Sequence, residues 1–570
     1  MRLLWGFVFV LSWVFSAMAQ MPHEVLVIAN QSSAGSLEVA NAFMERRGIP
    51  ADNLVRLAIP ESVYAGRATC NPDTFEELIW IPVQKEVVSR QLEDQILAWV
   101  YSTDFPIRIK TDASDRRQVS ICGQTFLKNR RVEGALIEEG KYHSPIFAGP
   151  NERLRLLFPS CSLGALKSGL GSRVGEDDAV ERLRSGLGGR MPLPSMMLGY
   201  TGAGGSSLDS VLAVLERGQQ ADYQGRRAGL YFVTNSNVRS TCRDWQFAST
   251  KERLAERRVE VVVTNEFPVG ASSIMGLLCG AEQVSPTEMG SFAPGAVAEH
   301  LTSWGAEFQR PQTKCTAWLD AGATATCGSV VEPYANANKF LSARFFEHYT
   351  AGCSVLESFY QSVASPLQQL FLGDPLARPY APPVRVRLLG VNRLSEEPFR
   401  FRATATTPLR DVSWRYTFLL DGRVVEAASK VNSYRVNPVD LADGFHTLQC
   451  VAWVDHSVRF YGSDTKAFVV NRVGRALSIS SDIKPLGAGV HGVHGVQVMV
   501  DGADVPKRVR LISGAEVLDE RRYDSELLLR FEESRGGNGV CRLQVVGVYA
   551  DGMEVVSEPL VLRVFNSLNE

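Results

Sequence analysis

Residues 23–59 read HEVLVIANQSSAGSLEVANAFMERRGIPADNLVRLAI, and this stretch decides the fold. The run 23–30 is almost continuously apolar, as is typical of a strand buried on both faces, and 53–59 is a second run of this kind. Between them, 36–47 have the spacing of an amphipathic helix, and Gly48 ends it. Because two parallel strands need a long crossover connection, this order predicts a parallel pair covered by a helix.

The same alternation continues along the chain. A helix is predicted over 75–95, with a break at Pro82, and a third strand begins in 96–109 (ILAWVYSTDFPIRI). Residues 111–195 interrupt the pattern and are predicted to form a loop-rich insertion, because they are rich in Gly, Ser, Arg and Pro. The later predicted elements are helices 207–219, 245–258 and 340–363 and strands 229–235, 259–264, 294–303 and 324–331.

A proline-rich segment ends this region. Gly373–Tyr380 (GDPLARPY) is followed by Pro382 and Pro383, and prolines at this density continue neither a helix nor a central strand. We therefore predict one α/β domain over 20–380, with a mostly parallel sheet and helices on both faces.

From residue 384 the apolar period changes to two. Short alternating strands are separated by turn dipeptides, and the segment around DGFHTLQCVAWVDH has a weak counterpart in NGVCRLQVVGVYADG. This predicts two β-sandwich (immunoglobulin-like) modules, at 384–472 and 473–570. Each holds one cysteine, Cys450 or Cys541, so the bridging disulfide of antibody domains is not expected.

The N-terminus has the pattern of a secretory signal peptide. Arg2 precedes an apolar run to Phe15, and Ala17-Met18-Ala19 supplies small residues before Gln20. Residues 1–19 are thus predicted to be removed. The apolar run is shorter than the about 20 residues of a membrane span, so no stable membrane insertion is expected after cleavage. The mature protein is predicted to be exported, to the periplasm or outside the cell.

Composition limits the classes of function. The formal net charge of −2 gives no indication of the basic surface that binds nucleic acids. No sequence motif suggests a metal or a cofactor. All ten cysteines follow the predicted cleavage site, and an even number in an exported chain predicts disulfides. Cys315 and Cys327 form the pair to test first.

Several motifs of 23–380 occur in the same order in a family of exported bacterial proteins found in genomes with exosortase-type sorting systems. They include ILAWVYSTDFPIRI, PGAVAEHLTSWGA, AGATATCGSVVEPY and FLGDPLARPY. The chain resembles that family, which implies export but no particular reaction. The partners it implies are envelope or exported proteins or polysaccharide.

The order of elements also resembles the gingipain-type cysteine peptidases, in which a caspase-like α/β sheet precedes an immunoglobulin-like domain. In that group one strand ends in His-Gly and the next in the catalytic Cys. Here the first place is held by Asn265, or by Gly270, and the second by Ser303. Because neither catalytic residue is matched, the resemblance implies the fold without the peptidase dyad.

Two other residues, Ser303 and Cys279, are candidate nucleophiles. His300 and Ser303 are three residues apart on a predicted strand and would point to opposite faces, so they meet only if the strand ends between them. The alternative for His300 is a bond to the backbone. Cys279, predicted in a loop after strand 259–264, is either a displaced thiol or half of a disulfide. Glu332 and Asp374 form a candidate carboxylate pair.

Ligands of open parallel sheets bind outside the carboxyl ends of the strands. The residues that follow predicted strand ends are Arg239, Arg243, Ser303, Trp304, Glu332 and Tyr334. They form the predicted binding site, although acidic neighbours or the core are alternative surroundings for them. Three hypotheses follow: a non-catalytic envelope or matrix-assembly protein, a hydrolase with a relocated nucleophile, and a carbohydrate- or protein-binding protein acting through its β-sandwich modules.

Overall fold

The computed structural model describes residues 21–111, 117–142, 144, 146–147, 192–225, 228–394, 396–456, 458–481, 493–525, 527–532 and 537–564. The predicted signal peptide and Cys161 lie outside the described residues. None of the described helices has the length and hydropathy that crossing a membrane requires.

Twelve α-helices are described, all before residue 363. They are α1 Ala34–Arg47, α2 Glu61–Tyr64, α3 Pro72–Phe75, α4 Ile81–Ser89, α5 Ile121–Phe126, α6 Gly134–Glu138, α7 Leu208–Ala221, α8 Val238–Thr241, α9 Phe247–Glu256, α10 Thr316–Asp320, α11 Phe345–Thr350 and α12 Val355–Ser362.

Thirteen strands accompany these helices. They are β1 Val25–Asn30, β2 Leu54–Leu57, β3 Thr69–Cys70, β4 Ala98–Tyr101, β5 Arg108–Ile109, β6 Val119–Ser120, β7 Ser195–Met197, β8 Gly229–Val233, β9 Val261–Thr264, β10 Ala271–Gly280, β11 Gly290–Leu301, β12 Ala325–Ser329 and β13 Gln369–Gly373.

Ten of these strands form one sheet in the order β2-β1-β4-β7-β13-β12-β11-β10-β8-β9. Every neighbouring pair is parallel except β12 and β13. The antiparallel step reverses the strand direction, so β8 to β12 run opposite to β1, β2, β4, β7 and β13. The prediction of a mostly parallel sheet with helices is confirmed.

The opening stretch behaves as its sequence predicts. Val25 and Val27 of β1 pack with α1 and α7 on one face of the sheet, and Leu26 and Ile28 face the larger cluster on the other. Both faces of the strand are covered, which is why its sequence is a continuous apolar run rather than an alternation. Ser33 caps α1 by accepting the Ser36 N–H, and Gly48 ends the helix at φ 64°.

Three predictions about elements are wrong. Pro82 does not break its helix, because a π-helical turn at Glu76–Trp80 precedes it and the proline stands in the first turn of α4. The predicted helix 340–363 is two helices, α11 and α12, separated at Gly352 with φ 100°. Cys279, predicted to lie in a loop, belongs to β10 in the middle of the sheet.

Residues 385–564 are rich in strands. The strands are β14 Arg385–Leu389, β15 Arg393–Leu394, β16 Phe399–Thr406, β17 Trp414–Leu420, β18 Arg423–Ser429, β19 Ser433–Val436, β20 Gly444–Val454, β21 Tyr461–Val470, β22 Ala476–Ser481, β23 Val493–Asp501, β24 Arg508–Ser513, β25 Glu516–Arg522, β26 Leu528–Glu532, β27 Gly539–Val548, β28 Glu554–Val556 and β29 Leu560–Val564.

This C-terminal region has two hydrophobic clusters, one within 388–470 and one within 477–564. A single bridge between Gly444 of β20 and Val556 of β28 joins their sheets. Residues 477–564 also contact the preceding α/β region. The Asn41 side chain donates to the Asn538 carbonyl (2.8 Å), and Arg56 forms an ion pair with Glu516. The strand-rich region is thus packed against the first helix and the edge of the main sheet.

A group of partly buried charges lies where the N-terminal segment, α12 and the first part of the C-terminal region meet. Glu24 accepts the Met21 N–H (2.8 Å), and Glu357 accepts the Ser354 N–H (2.7 Å) at the start of α12. Burial raises the pKa of each carboxyl to about 7, while the positive charge of Arg459 partly opposes this shift. The Arg459 guanidinium lies 4.3 Å from the centre of the Trp453 ring. Two carboxyls therefore share one arginine at this junction.

The Gly-Asp-Pro turn after β13 anchors the end of α1. Asp374 accepts the Leu376 N–H (3.0 Å) and so caps its own turn. Its carboxylate also accepts from Nε of Arg47 at 3.0 and 3.2 Å, and Arg47 pairs with Asp222 as well. A Cβ at Gly218 of α7 would lie 2.1 Å from the Asp374 carboxylate, so glycine there makes room for the buried pair.

Candidate functional site

The predicted site residues all belong to the part of the sheet formed by β8 and β10 to β12, whose strands share one direction. Arg239 and Arg243 follow β8, Ser303 and Trp304 follow β11, and Glu332 and Tyr334 follow β12. Cys279 and His300 lie inside β10 and β11, near their carboxyl ends. This edge is therefore where the candidate chemistry has to be judged.

His300 is 2% exposed, and both of its ring nitrogens have partners. The Trp318 indole donates to Nδ1 at 2.8 Å, and Nε2 lies 3.1 Å from the Thr313 carbonyl. Because an indole N–H only donates, Nδ1 is the acceptor, and Nε2 carries the proton and donates to Thr313. Burial lowers the pKa of His300 to about 4. The imidazole is thus neutral, with its tautomer fixed and no free nitrogen.

Cys279 is the register partner of His300 on the neighbouring strand. The residue is fully buried in an apolar cluster that includes Trp318 and Ala298. Burial raises the pKa of its thiol well above the ordinary range. Since the thiolate is the nucleophilic form of cysteine, this sulfur is held in its unreactive form. The prediction that Cys279 lies in a loop is wrong, because β10 was not recognised in the sequence.

Arg243 lies in the interior of the sheet edge, next to the strands that carry Cys279 and His300, and not at the surface. It is 1% exposed, forms an ion pair with the equally buried Glu299 of β11, and donates to the carbonyls of Cys279 and Leu341. Burial raises the pKa of Glu299, and the Arg243 charge opposes that shift. This arrangement matches the alternative in which the arginine pairs with an acidic neighbour, and it ties α8 and the loop after it to two central strands.

The accessible part of the edge consists of the other predicted residues. Ser303 and Trp304 are half-buried, and the Arg310 guanidinium lies 5.2 Å from the centre of the Trp304 ring. Tyr334 is 43% exposed at φ 60°, and its N–H donates to the Glu332 carboxylate (3.0 Å).

Arg239 completes the accessible set, and its guanidinium lies 3.9 Å from Glu282. Neither nitrogen of His300 serves Ser303, because both are already bonded. The structure therefore does not join His300 and Ser303 into a dyad.

Another sequence expectation is corrected. Glu332 and Asp374 follow the ends of β12 and β13, which are antiparallel, so the two carboxylates lie at opposite ends of this strand pair. They do not form the carboxylate pair that glycosidic chemistry needs.

The predicted disulfides are not found among the described cysteines. All nine are free thiols, and they include Cys315 and Cys327. Cys327 is a residue of the central strand β12, and burial raises its pKa strongly. These cysteines are buried as small apolar side chains of the core, apart from the half-exposed Cys242. No cluster of potential metal ligands occurs in the described ranges.

A polar cluster in the first half of the sheet was missed. Asp104, after β4, accepts hydrogen bonds from Ser33 and from Thr201 (2.9 Å), and its carbonyl accepts from the Asn30 side chain (3.0 Å). Asp104 has φ 61°, a left-handed conformation that aspartate tolerates better than most residues. Polar residues directly after β1, β4 and β7 were the available signal in the sequence.

No protein-family model matches the chain, and no curated protein matches it. Among solved structures it is similar to the Arg-specific cysteine proteinase gingipain R at 10% identity, covering 80% of this chain and 100% of that one, with a TM-score of 0.40. It is similar to the complex of Porphyromonas gingivalis RgpB pro- and mature domains at 10% identity, with coverages of 79% and 100% and a TM-score of 0.39. It is also similar to the fibronectin(III)-like modules of Clostridium thermocellum CbhA at 14% identity, covering 33% of this chain and 97% of that one, with a TM-score of 0.14.

Proposed function

We propose that this protein is an exported, non-catalytic α/β protein that acts by binding other components of the cell envelope or of an exported matrix. The observation that carries the proposal is the state of His300, whose two nitrogens are bonded to Trp318 and Thr313 in a buried site. We include in the proposal the division into an α/β domain (20–380) and two β-sandwich modules (384–472 and 473–570).

The argument against a nucleophilic mechanism at this edge rests on what catalysis needs. A cysteine nucleophile needs a lowered thiol pKa and access to substrate, and a serine needs a base with a free nitrogen beside it. Cys279 has a raised pKa and is fully buried. Ser303 is accessible, but His300 has no nitrogen to offer it. Each candidate nucleophile thus lacks one necessary condition.

The accessible residues of the edge support a binding role. Trp304 and Tyr334 supply half-buried and exposed aromatic surface, and Arg239 and Glu332 supply charges of both signs. Trp, Tyr and Arg are enriched in surfaces that bind other proteins, and other polar groups lie at the rim of such surfaces. We propose this set as the binding site.

A hydrolase with a relocated nucleophile is the second candidate. One observation favours it, namely that Cys279 and His300 are register partners on adjacent parallel strands. It would require Trp318 to release Nδ1 and the site to open to solvent.

Binding through the C-terminal region is the third candidate. Among the described residues of 385–564, the exposed large apolar side chains are mostly aliphatic, for example Val439 and Leu528, and none of them is aromatic. An exposed aromatic patch would favour carbohydrate binding. The aliphatic surface instead supports protein partners for this region.

The test combines activity assays with chemical labelling. The mature protein is tested against generic peptidase and ester substrates, then treated with an alkylating thiol probe and a serine-directed fluorophosphonate. We expect no turnover, and no labelling of Cys279 or Ser303 in the native state. The half-exposed Cys242 is the internal control for the thiol probe. Robust turnover that is lost in Ser303→Ala or Cys279→Ala would overturn the proposal.

A further inference from the structure

The loop 303–314, which follows β11, is closed by its own side chains. The Gln312 side chain accepts hydrogen bonds from the Trp304 N–H (2.8 Å) and from the Thr302 hydroxyl (2.7 Å). Gln312 is buried, so these bonds are shielded from water. The loop therefore presents its outer side chains from a closed base at the end of a central strand.

Three cationic side chains on or beside this loop have no anionic partner among the described residues. Lys314 Nζ donates to the Trp304 carbonyl (3.0 Å), and the Arg310 guanidinium lies 5.2 Å from the centre of the same tryptophan's ring. Arg67 Nε donates to the Gln309 side chain (3.1 Å), next to Arg310 in the sequence. Each of these contacts is to a neutral group, so the three positive charges are not compensated.

The carboxylates nearest to these cations are bound to other arginines. Glu307, inside the loop, forms an ion pair with Arg108, and the Glu282 carboxylate lies 3.9 Å from the Arg239 guanidinium. The loop thus carries a local excess of positive charge in a chain whose formal net charge is −2. An anionic ligand is therefore attracted by this loop and not by the charge of the whole molecule.

Lys314 is the cation with the most to gain from a ligand, because it is half-buried. Burial without a counter-charge disfavours the ammonium form and lowers the pKa of Lys314 to about 8. The described residues engage one of the three donors of its Nζ, at the Trp304 carbonyl. A ligand carboxylate at the other donors would form a charge-assisted hydrogen bond and remove the cost of the unpaired charge.

We propose that the loop 303–314 binds an acidic segment of a protein partner, with one carboxylate of that segment on Lys314 and others on Arg310 and Arg67. This inference rests on the proposed binding function and names the chemistry of the partner at the same edge of the sheet. A guanidinium already lies over the Trp304 ring, so that face is not open to stack on a sugar. Tryptophan and arginine are, in contrast, the residues that contribute most at contacts between proteins.

Poly-L-glutamate labelled with fluorescein is the probe for this site. Its binding to the mature protein is measured by fluorescence anisotropy, with labelled polygalacturonate as the acidic polysaccharide for comparison. We expect poly-L-glutamate to bind, and the binding to be lost in about 1 M salt, which screens exposed charges. Polygalacturonate should bind more weakly. No binding of poly-L-glutamate, or equal or tighter binding of polygalacturonate, overturns the proposal.

Charge variants locate the contact. Lys314→Met removes the half-buried charge, and we expect it to weaken poly-L-glutamate binding about tenfold. Arg67→Gln removes an exposed charge and should weaken binding about two- to fivefold. Arg46→Gln is the matched control, because Arg46 also donates to a glutamine side chain at 3.1 Å but lies at the end of α1.

Thermal melts establish which variants are folded. Unchanged binding by a folded Lys314→Met, or equal effects of Arg67→Gln and Arg46→Gln, would overturn the assignment. If Lys314→Met does not fold, the comparison of Arg67→Gln with Arg46→Gln decides the outcome alone. These results are separate from the test of the proposed function, which is overturned by turnover that is lost in Ser303→Ala or Cys279→Ala, whatever the probe binds.

Discussion

The Trp318 indole donates to Nδ1 of His300 across 2.8 Å, and this bond settles the protonation of the imidazole. His300 lies beside Cys279 on the next strand, so a histidine and a thiol are neighbours at the carboxyl edge of the sheet. The indole and the Thr313 carbonyl occupy the two nitrogens that would otherwise make that pair reactive.

Trp318→Phe should release Nδ1 of His300. The pKa of His300, which burial lowers to about 4, should then rise, because the neutral form loses a hydrogen bond that the protonated form cannot make. We expect a loss of about 1–3 kcal/mol in the free energy of unfolding, since a buried acceptor is left unpaired. An NMR titration of the imidazole measures the pKa, and denaturant melts measure stability. Trp304→Phe is the control, and an unchanged His300 pKa in Trp318→Phe would contradict the assigned tautomer.

Arg47→Ala should be strongly destabilising. It leaves Asp374 buried without its counter-charge, and breaking a buried ion pair on one side costs about 3–5 kcal/mol. The neighbouring Arg46 reaches the Gln219 side chain at the surface, and Arg46→Ala should change stability by less than about 0.5 kcal/mol. Equal losses for the two variants, measured by urea unfolding, would contradict the role given to the Asp374 turn.

Glu24→Gln should stabilise the protein at alkaline pH. The folded-state pKa of Glu24 is raised to about 7 from the ordinary 4.5, so its contribution to stability is fully present below pH 4.5 and is lost as the pH rises through 7. Glutamine keeps an acceptor for the Met21 N–H without the charge. We expect a gain on the order of 2 kcal/mol at pH 8 that shrinks below pH 5.

Comparing Glu24→Gln with the wild type at each pH removes the contribution of the buried histidines to the pH dependence of stability, because both proteins contain them. Burial lowers the pKa of His23 and of His300 to about 4, so their stabilisation is complete above pH 6.5 and is lost as the pH falls through 4. A gain for Glu24→Gln that is the same at pH 5 and pH 8 would contradict the raised pKa.

Asp104→Ala should lower the free energy of unfolding by about 2–3 kcal/mol. The substitution removes the two hydrogen bonds that the Ser33 and Thr201 hydroxyls donate to the Asp104 carboxylate. It also places alanine at φ 61°, a left-handed conformation that alanine tolerates less well than aspartate does. Asp104→Asn keeps one acceptor and that tolerance, so it should lose less. Thermal melts of both variants check this order, and an Asn variant as unstable as the Ala variant would refute it.

The fold followed the sequence where local signals and packing agreed. Helix α1 ends at Gly48 as predicted and begins at Ala34, two residues before the predicted start, because a left-handed glycine and the Ser33 side-chain cap are local devices. Strand β10 was missed because its sequence, ASSIMGLLCG, mixes small and polar residues with apolar ones. Its central place comes from neighbours on both sides that are distant in the sequence.

The candidate site was harder to predict for a related reason. The rule on strand ends locates Trp304, Glu332 and Tyr334, since it depends only on where a strand stops. The burial of Cys279 and the occupation of His300 depend on Trp318, which a short helix brings over the strands. The residues next to His300 in the sequence do not predict its contact with Trp318.

The bond between Asn41 and Asn538 joins positions 497 apart in the chain. Contacts of such separation slow folding, because the ends of a long segment must meet before the bond repays the lost entropy. Helix α1 can form early from its own caps, but Asn41 has no Asn538 carbonyl to bond until residue 538 has been made. During synthesis, the contact between the first helix and the C-terminal region is therefore among the last that can form.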